Sequence, residues 1–161
     1  MEMTVQEIIR KLNLIPLPGE GGYYRQTWHS DEGTAIYYLL SPEENGFSAF
    51  HRLEGVEIYH FYAGDPVQLI LLSREDAPER IRKVILGNRI ERNEHPQYII
   101  PAGMIQGSRL FPGGKWAMLG TTMAPPYTPD IFKLCDRKKL LEDFPEEQEL
   151  IIQFTKEEAL L

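Results

Sequence analysis

From Tyr23 to Leu134 the sequence is a succession of short β-type segments cut by turn residues, with no helical stripe between them. The predicted strands are Tyr23–Trp28, Thr34–Leu40, Phe47–Arg52, Glu57–Ala63, Val67–Ser73, Ile81–Leu86, Gln97–Ile100, Gln106–Leu110, Lys115–Met123 and Ile131–Leu134. Gly64-Asp65-Pro66, Gly87-Asn88, Pro112-Gly113-Gly114 and Pro125-Pro126 punctuate them as turns. Strands at this density without interleaved helices exclude a βαβ architecture and predict an all-β antiparallel sandwich or barrel.

Only the two ends read as helical. Thr4 and Glu7 fit a capping box, and Val5, Ile8, Ile9 and Leu12 follow with helical spacing. Asn13 suits a left-handed stop, and Pro16 blocks continuation. Pro145 with Glu146 and Glu147 behind it predicts a short C-terminal helix through about Gln153. The 161 residues fit a single domain, 1–161.

Charge and cysteine usage narrow the class. Seventeen basic against 24 acidic residues leave a net charge of −7, which argues against nucleic acid as a partner. The longest apolar runs are a handful of residues, and the acidic N-terminus lacks a basic segment followed by an apolar one, so no membrane span and a cytoplasmic location are expected. The single Cys135 cannot form an internal disulfide and reads as a structural thiol.

In Thr34–Leu40 both alternating sets are apolar, Ala35, Tyr37 and Leu39 on one face and Ile36, Tyr38 and Leu40 on the other. Ile58–Tyr62 behaves likewise. A strand with one wet face should alternate apolar and polar, so both faces of this sheet are expected to be covered. The N-terminal helix or a second subunit could do this, and a homodimer is the simpler account.

His51, Glu57 and Gly64 resemble the first motif of the cupin superfamily, and Pro101-Ala102-Gly103 followed by Gln106 resembles the second. Glu20-Gly21-Gly22-Tyr23-Tyr24-Arg25, Gly33 to Leu40 and Glu57 to Gly64 look like the uncharacterised DUF985 (Cupin_5) family, and the likeness extends from about Ile8 to Leu134. The resemblance implies a double-stranded β-helix, the cupin jelly roll, which commonly dimerises. Metal-binding cupins use three histidines and one glutamate. Here Leu53 stands in place of the second histidine and Gln106 in place of the third. No cofactor is therefore expected, the alternative being a weak divalent site (Zn²⁺, Ni²⁺ or Fe²⁺) on His51, Glu57 and Gln106.

Alternation sets the side-chain directions. If Glu57 points into the barrel so does Tyr59, while His51 shares a face with Leu53, and Gln106 with Ser108. The interior then holds a few polar groups in an apolar cavity, the make-up of a small-ligand pocket. His51, Glu57 and Tyr59 are the candidate catalytic residues: base, orienting carboxylate and acid. Tyr23, Arg25, Gln106 and Ser108 are candidate ligand contacts, with Arg25 suited to a carboxylate or phosphate. Gly19-Glu20-Gly21-Gly22 reads as a plain turn, because no Lys-Ser/Thr follows it.

The expected function is binding of a small sugar- or acid-like molecule, with metal-free isomerase- or epimerase-type chemistry. A metal-dependent dioxygenase or decarboxylase and a non-catalytic sensing module are the alternatives. His51→Ala is expected to abolish ligand binding and leave the fold largely intact.

Overall fold

The computed structural model describes residues 2–73 and 76–157. Its first six strands are β1 (Ile15–Pro16), β2 (Tyr23–His29), β3 (Thr34–Leu40), β4 (Ser48–Leu53), β5 (Glu57–Gly64) and β6 (Val67–Leu72). The next six are β7 (Ile81–Leu86), β8 (Glu94–His95), β9 (Gln97–Ile100), β10 (Ile105–Leu110), β11 (Ala117–Met123) and β12 (Phe132–Leu134). They form two six-stranded sheets, in the orders β1-β2-β3-β11-β5-β9 and β12-β4-β10-β6-β7-β8. Every ladder is antiparallel except the short β7-β8 pair. The result is the double-stranded β-helix of a jelly roll.

Helix α1 (Val5–Leu12) begins as the capping box dictates: Glu7 N–H donates to Thr4 Oγ1 at 3.2 Å, and Thr4 N–H donates to Glu7 Oε2 at 2.8 Å. Asn13 closes it in the left-handed region, at φ 52°. At the C-terminus, α3 (Gln148–Gln153) follows a turn of 3₁₀ helix at Pro145–Glu147. A further helix, α2 (Arg137–Asp143), was not anticipated. Asp136 caps it, and its sequence hides the pattern because three cations precede Leu140.

The helices explain why strands are apolar on both faces. Leu69 and Leu71 of β6 point between the sheets with Tyr38, Tyr59 and Leu119. Ile70 and Leu72 point outward, where Leu140, Phe144, Ile151 and Phe154 cover them. Each such side chain contributes roughly 1.5–3 kcal/mol on burial. On the opposite outer face Ile8 of α1 packs against Leu39 and Met118. The helix leaves the rest of that face open, with Trp28 at 49%, Tyr62 at 51% and Ile99 at 58% exposure. Among the described residues no helix is long and apolar enough to cross a membrane.

Candidate functional site

A cavity of about 220 Å³ opens between the sheets at one end of the barrel. Its walls are Tyr24 and Gln26 of β2, Thr34, Ile36 and Tyr38 of β3, Leu53 of β4, Glu57 and Tyr59 of β5, and Thr121 and Met123 of β11. Leu17, Pro18, Glu20, Tyr127 and Phe132 complete it from the loops and β12.

Glu20 was not singled out from the sequence, yet it is central here. It sits on the Gly-rich turn before β2. A Cβ on Gly21 would lie 2.1 Å from the Phe47 carbonyl oxygen, and Gly21 has φ +106°, so only glycine lets the turn pass this close. Tyr38 Oη donates to the Gly21 carbonyl at 2.6 Å, and Ala49 N–H donates to the Glu20 carbonyl at 2.9 Å. The turn is thereby pinned and the Glu20 carboxylate carried inward. It accepts a hydrogen bond from Ser48 Oγ at 2.9 Å, and its other oxygen lies 3.6 Å from His51 Nε2.

His51 lies behind the cavity wall and is 1% exposed. Its Nδ1 donates to the Ala49 carbonyl at 2.7 Å, which leaves Nε2 to face Glu20, and its ring stacks on Phe132. His51 and Glu57 do not lie on neighbouring strands: β4 and β5 belong to opposite sheets, and the two side chains approach across the interior. Gln106 is directly opposite His51 on the β4-β10 ladder. Its amide faces Glu57, and its Oε1 has no hydrogen-bond partner among the described residues.

Burial pushes the Glu57 carboxyl up to about 7, and the nearby Glu20 charge adds to the rise. His51, Thr121 and Gln106 oppose it. Burial also holds the Tyr59 hydroxyl well above its ordinary value, reinforced by Glu57 and Glu20, so it stays protonated and able to donate. The Ser108 hydroxyl lies beside that of Tyr59, behind the wall.

The structure thus brings His51, Glu57, Tyr59, Gln106 and Ser108 into one buried polar cluster. Tyr23 and Arg25 go elsewhere. Tyr24 pairs with Tyr38 on β3, so alternation turns Tyr24 and Gln26 inward and Tyr23 and Arg25 outward. The Tyr23 hydroxyl donates to Glu43 at 2.9 Å, and the Arg25 guanidinium covers the Tyr37 ring. Two adjacent tyrosines concealed which face was which. Cys135 is partly buried beneath α2, and burial pushes its thiol up to about 11 against the pull of Arg52.

The donor set lacks two of the three histidines that a metal-binding cupin uses. Leu53 offers no ligand atom, Gln106 offers a weak amide oxygen, and His51 directs Nε2 at Glu20. Among the described residues no group of three or more His, Cys, Asp or Glu is arranged to hold a metal.

The family model described as cupin superfamily (DUF985) matches residues 6–135. A hypothetical protein from Leishmania major has the same fold, with TM-score 0.87 and 30% identity, over 96% of this chain and 100% of that one. A protein from Shewanella oneidensis superposes with TM-score 0.87 at 26% identity, covering 98% of this chain and 100% of its own. Oxalate decarboxylase from Bacillus subtilis shares the fold at 13% identity and TM-score 0.59, over 91% of this chain and 38% of that one. No curated protein matches the sequence.

Proposed function

For this chain, which belongs to the cupin superfamily's DUF985 (Cupin_5) family, we propose that the barrel cavity binds a compact polar molecule and transfers a proton on it without a metal ion. One observation carries this reading: Glu20, Glu57 and Tyr59 line a single cavity whose remaining surface is largely apolar. At about 220 Å³ it is smaller than the roughly 300–1,000 Å³ of drug-sized pockets, which suits a small ligand.

Glu57 is the base in this scheme. It reaches the cavity, whereas His51 is sealed behind it and acts as a positioning residue for Glu20. A carboxyl held near 7 is matched to proton transfer near neutral pH. Glu57 takes a proton from carbon next to a carbonyl, the electron pair moves onto the carbonyl oxygen, and Tyr59 donates a hydrogen bond there. Protonation of the same carbon on its opposite face completes an epimerase-type step. Protonation of the neighbouring carbon, with the hydroxyl proton passing between the two oxygens, completes an isomerase-type one.

Occupancy is tested by native mass spectrometry of gently purified protein. A low-mass adduct is expected on the wild type and its loss on Leu53→Trp, which fills the cavity. An adduct that survives the filled cavity, or none on the folded wild type, counts against the site. Retained binding without solvent proton exchange would favour a sensing module over an enzyme.

A further inference from the structure

We propose that this cavity selects ligands carrying a protonated or quaternary amine, held between the Glu20 and Glu57 carboxylates and the faces of the surrounding aromatic rings. The inference deepens the reading above and rests on the cavity being the ligand site.

Three features point to this class. First, the only side chains on the wall that can carry charge near neutral pH are two glutamates; among the described residues no lysine, arginine or histidine lines it. A carboxylate or phosphate ligand would bring further negative charge into an enclosed, weakly screened space that already holds two carboxyl groups. Second, the basic side chains nearby lie outside the wall. Arg25 lies over Tyr37 on the outer face, while His51 and Lys156 both interact with Glu20 without lining the cavity. Third, Tyr24, Tyr38, Tyr59, Tyr127 and Phe132 surround the space. Aromatic faces beside carboxylates attract an ammonium group through both ring quadrupole and ion pairing. A neutral polyol could form hydrogen bonds here, but it would bring no positive charge to the two neighbouring carboxyl groups, whose mutual repulsion helps to raise Glu57. The acid-like ligand expected from Arg25 loses its anchor once that residue turns outward.

The test compares three probes of nearly the same shape: choline, neutral 3,3-dimethyl-1-butanol and anionic 3,3-dimethylbutyrate. Binding is read from shifts of tyrosine ring signals in NMR titrations of the full chain. Choline is expected to bind at least tenfold more tightly than the alcohol, with the anion weakest. Glu20→Gln combined with Glu57→Gln should abolish that preference, while circular dichroism reports its fold. If the alcohol or the anion binds wild type as well as choline, the selectivity is wrong and the cavity remains a ligand site. If no probe moves the ring signals of Tyr24, Tyr38, Tyr59 or Tyr127, the amine selectivity is wrong, and the adduct on wild-type protein in native mass spectrometry decides separately whether the cavity is a ligand site. The wild-type comparison decides the matter even if the double variant does not fold.

Discussion

The imidazole Nε2 of His51 lies 3.6 Å from a carboxylate oxygen of Glu20, a residue on a turn that precedes the first long strand. This contact ties the Gly-rich turn to the middle of the second sheet, and it assigns His51 a partner other than Glu57. It also makes His51 part of the packing as well as part of the site.

His51→Ala should therefore cost stability, contrary to the expectation drawn from sequence. The side chain is 1% exposed, donates to the Ala49 carbonyl and stacks on Phe132. Its loss creates a cavity and leaves a carbonyl acceptor unmatched, worth roughly 2–4 kcal/mol together. Thermal melting checks this. A variant melting within a degree or two of wild type would show that His51 does little for the fold.

Glu57 makes stability depend on pH with a definite sign. Its folded carboxyl is raised to about 7, above its ordinary unfolded value, so the folded state holds the proton more tightly between those two values. The contribution is favourable in mildly acidic solution and is lost as pH rises through 7. Relative to wild type, Glu57→Gln should gain stability between pH 5 and pH 8, by on the order of a few kcal/mol. Denaturant titrations at both pH values test it, and parallel curves for the two proteins would refute it.

Glu20→Gln should lower the Glu57 carboxyl, because it removes the neighbouring like charge that helps raise it. Carbon-13 NMR of labelled glutamate carboxyls follows the change directly. An unmoved or higher Glu57 titration in the variant would show that the two carboxylates do not interact.

A second copy of the chain is expected to cover the outer face of the first sheet. Register aligns Trp28, Ala35, Thr122, Ile58 and Ile99 in one row across five strands, and α1 leaves Trp28 and Ile99 about half exposed. Obligate interfaces of this sort bury roughly 2,000 Å² or more in total. Sedimentation should show a wild-type dimer and a monomeric Ile58→Glu. A monomeric wild type at micromolar concentration contradicts it.

Much of the scaffold was legible in the sequence because turn residues mark strand ends and alternation marks faces. The ten strands from Tyr23 to Leu134 recur within a few residues of their predicted bounds, and α1 matches Val5–Leu12. The misses have local causes. The two-residue β1 and β8 are too short to show any period. Helix α2 begins with three cations, so its apolar contacts, Leu140 and then Phe144 beyond its end, arrive late. At the site, the resemblance to the cupin motifs brought out His51, Glu57 and Gln106, and alternation added Tyr59 and Ser108. Glu20 escaped because an acid in a glycine turn ordinarily faces water, and only the tertiary path of that turn carries it inside. Tyr24 and Gln26 escaped because Tyr23-Tyr24 gives no hint of which tyrosine faces inward.

Solvent proton exchange tests the central claim most directly. Compact amino and hydroxy carbonyl compounds, incubated with the protein in heavy water, are followed by NMR at the carbon next to the carbonyl. Wild type should catalyse deuterium incorporation into at least one of them, and Glu57→Gln should slow it by a factor of about 100 or more while the fold survives. Exchange that proceeds at the wild-type rate in Glu57→Gln, or that is absent for compounds shown to occupy the cavity, would contradict the account.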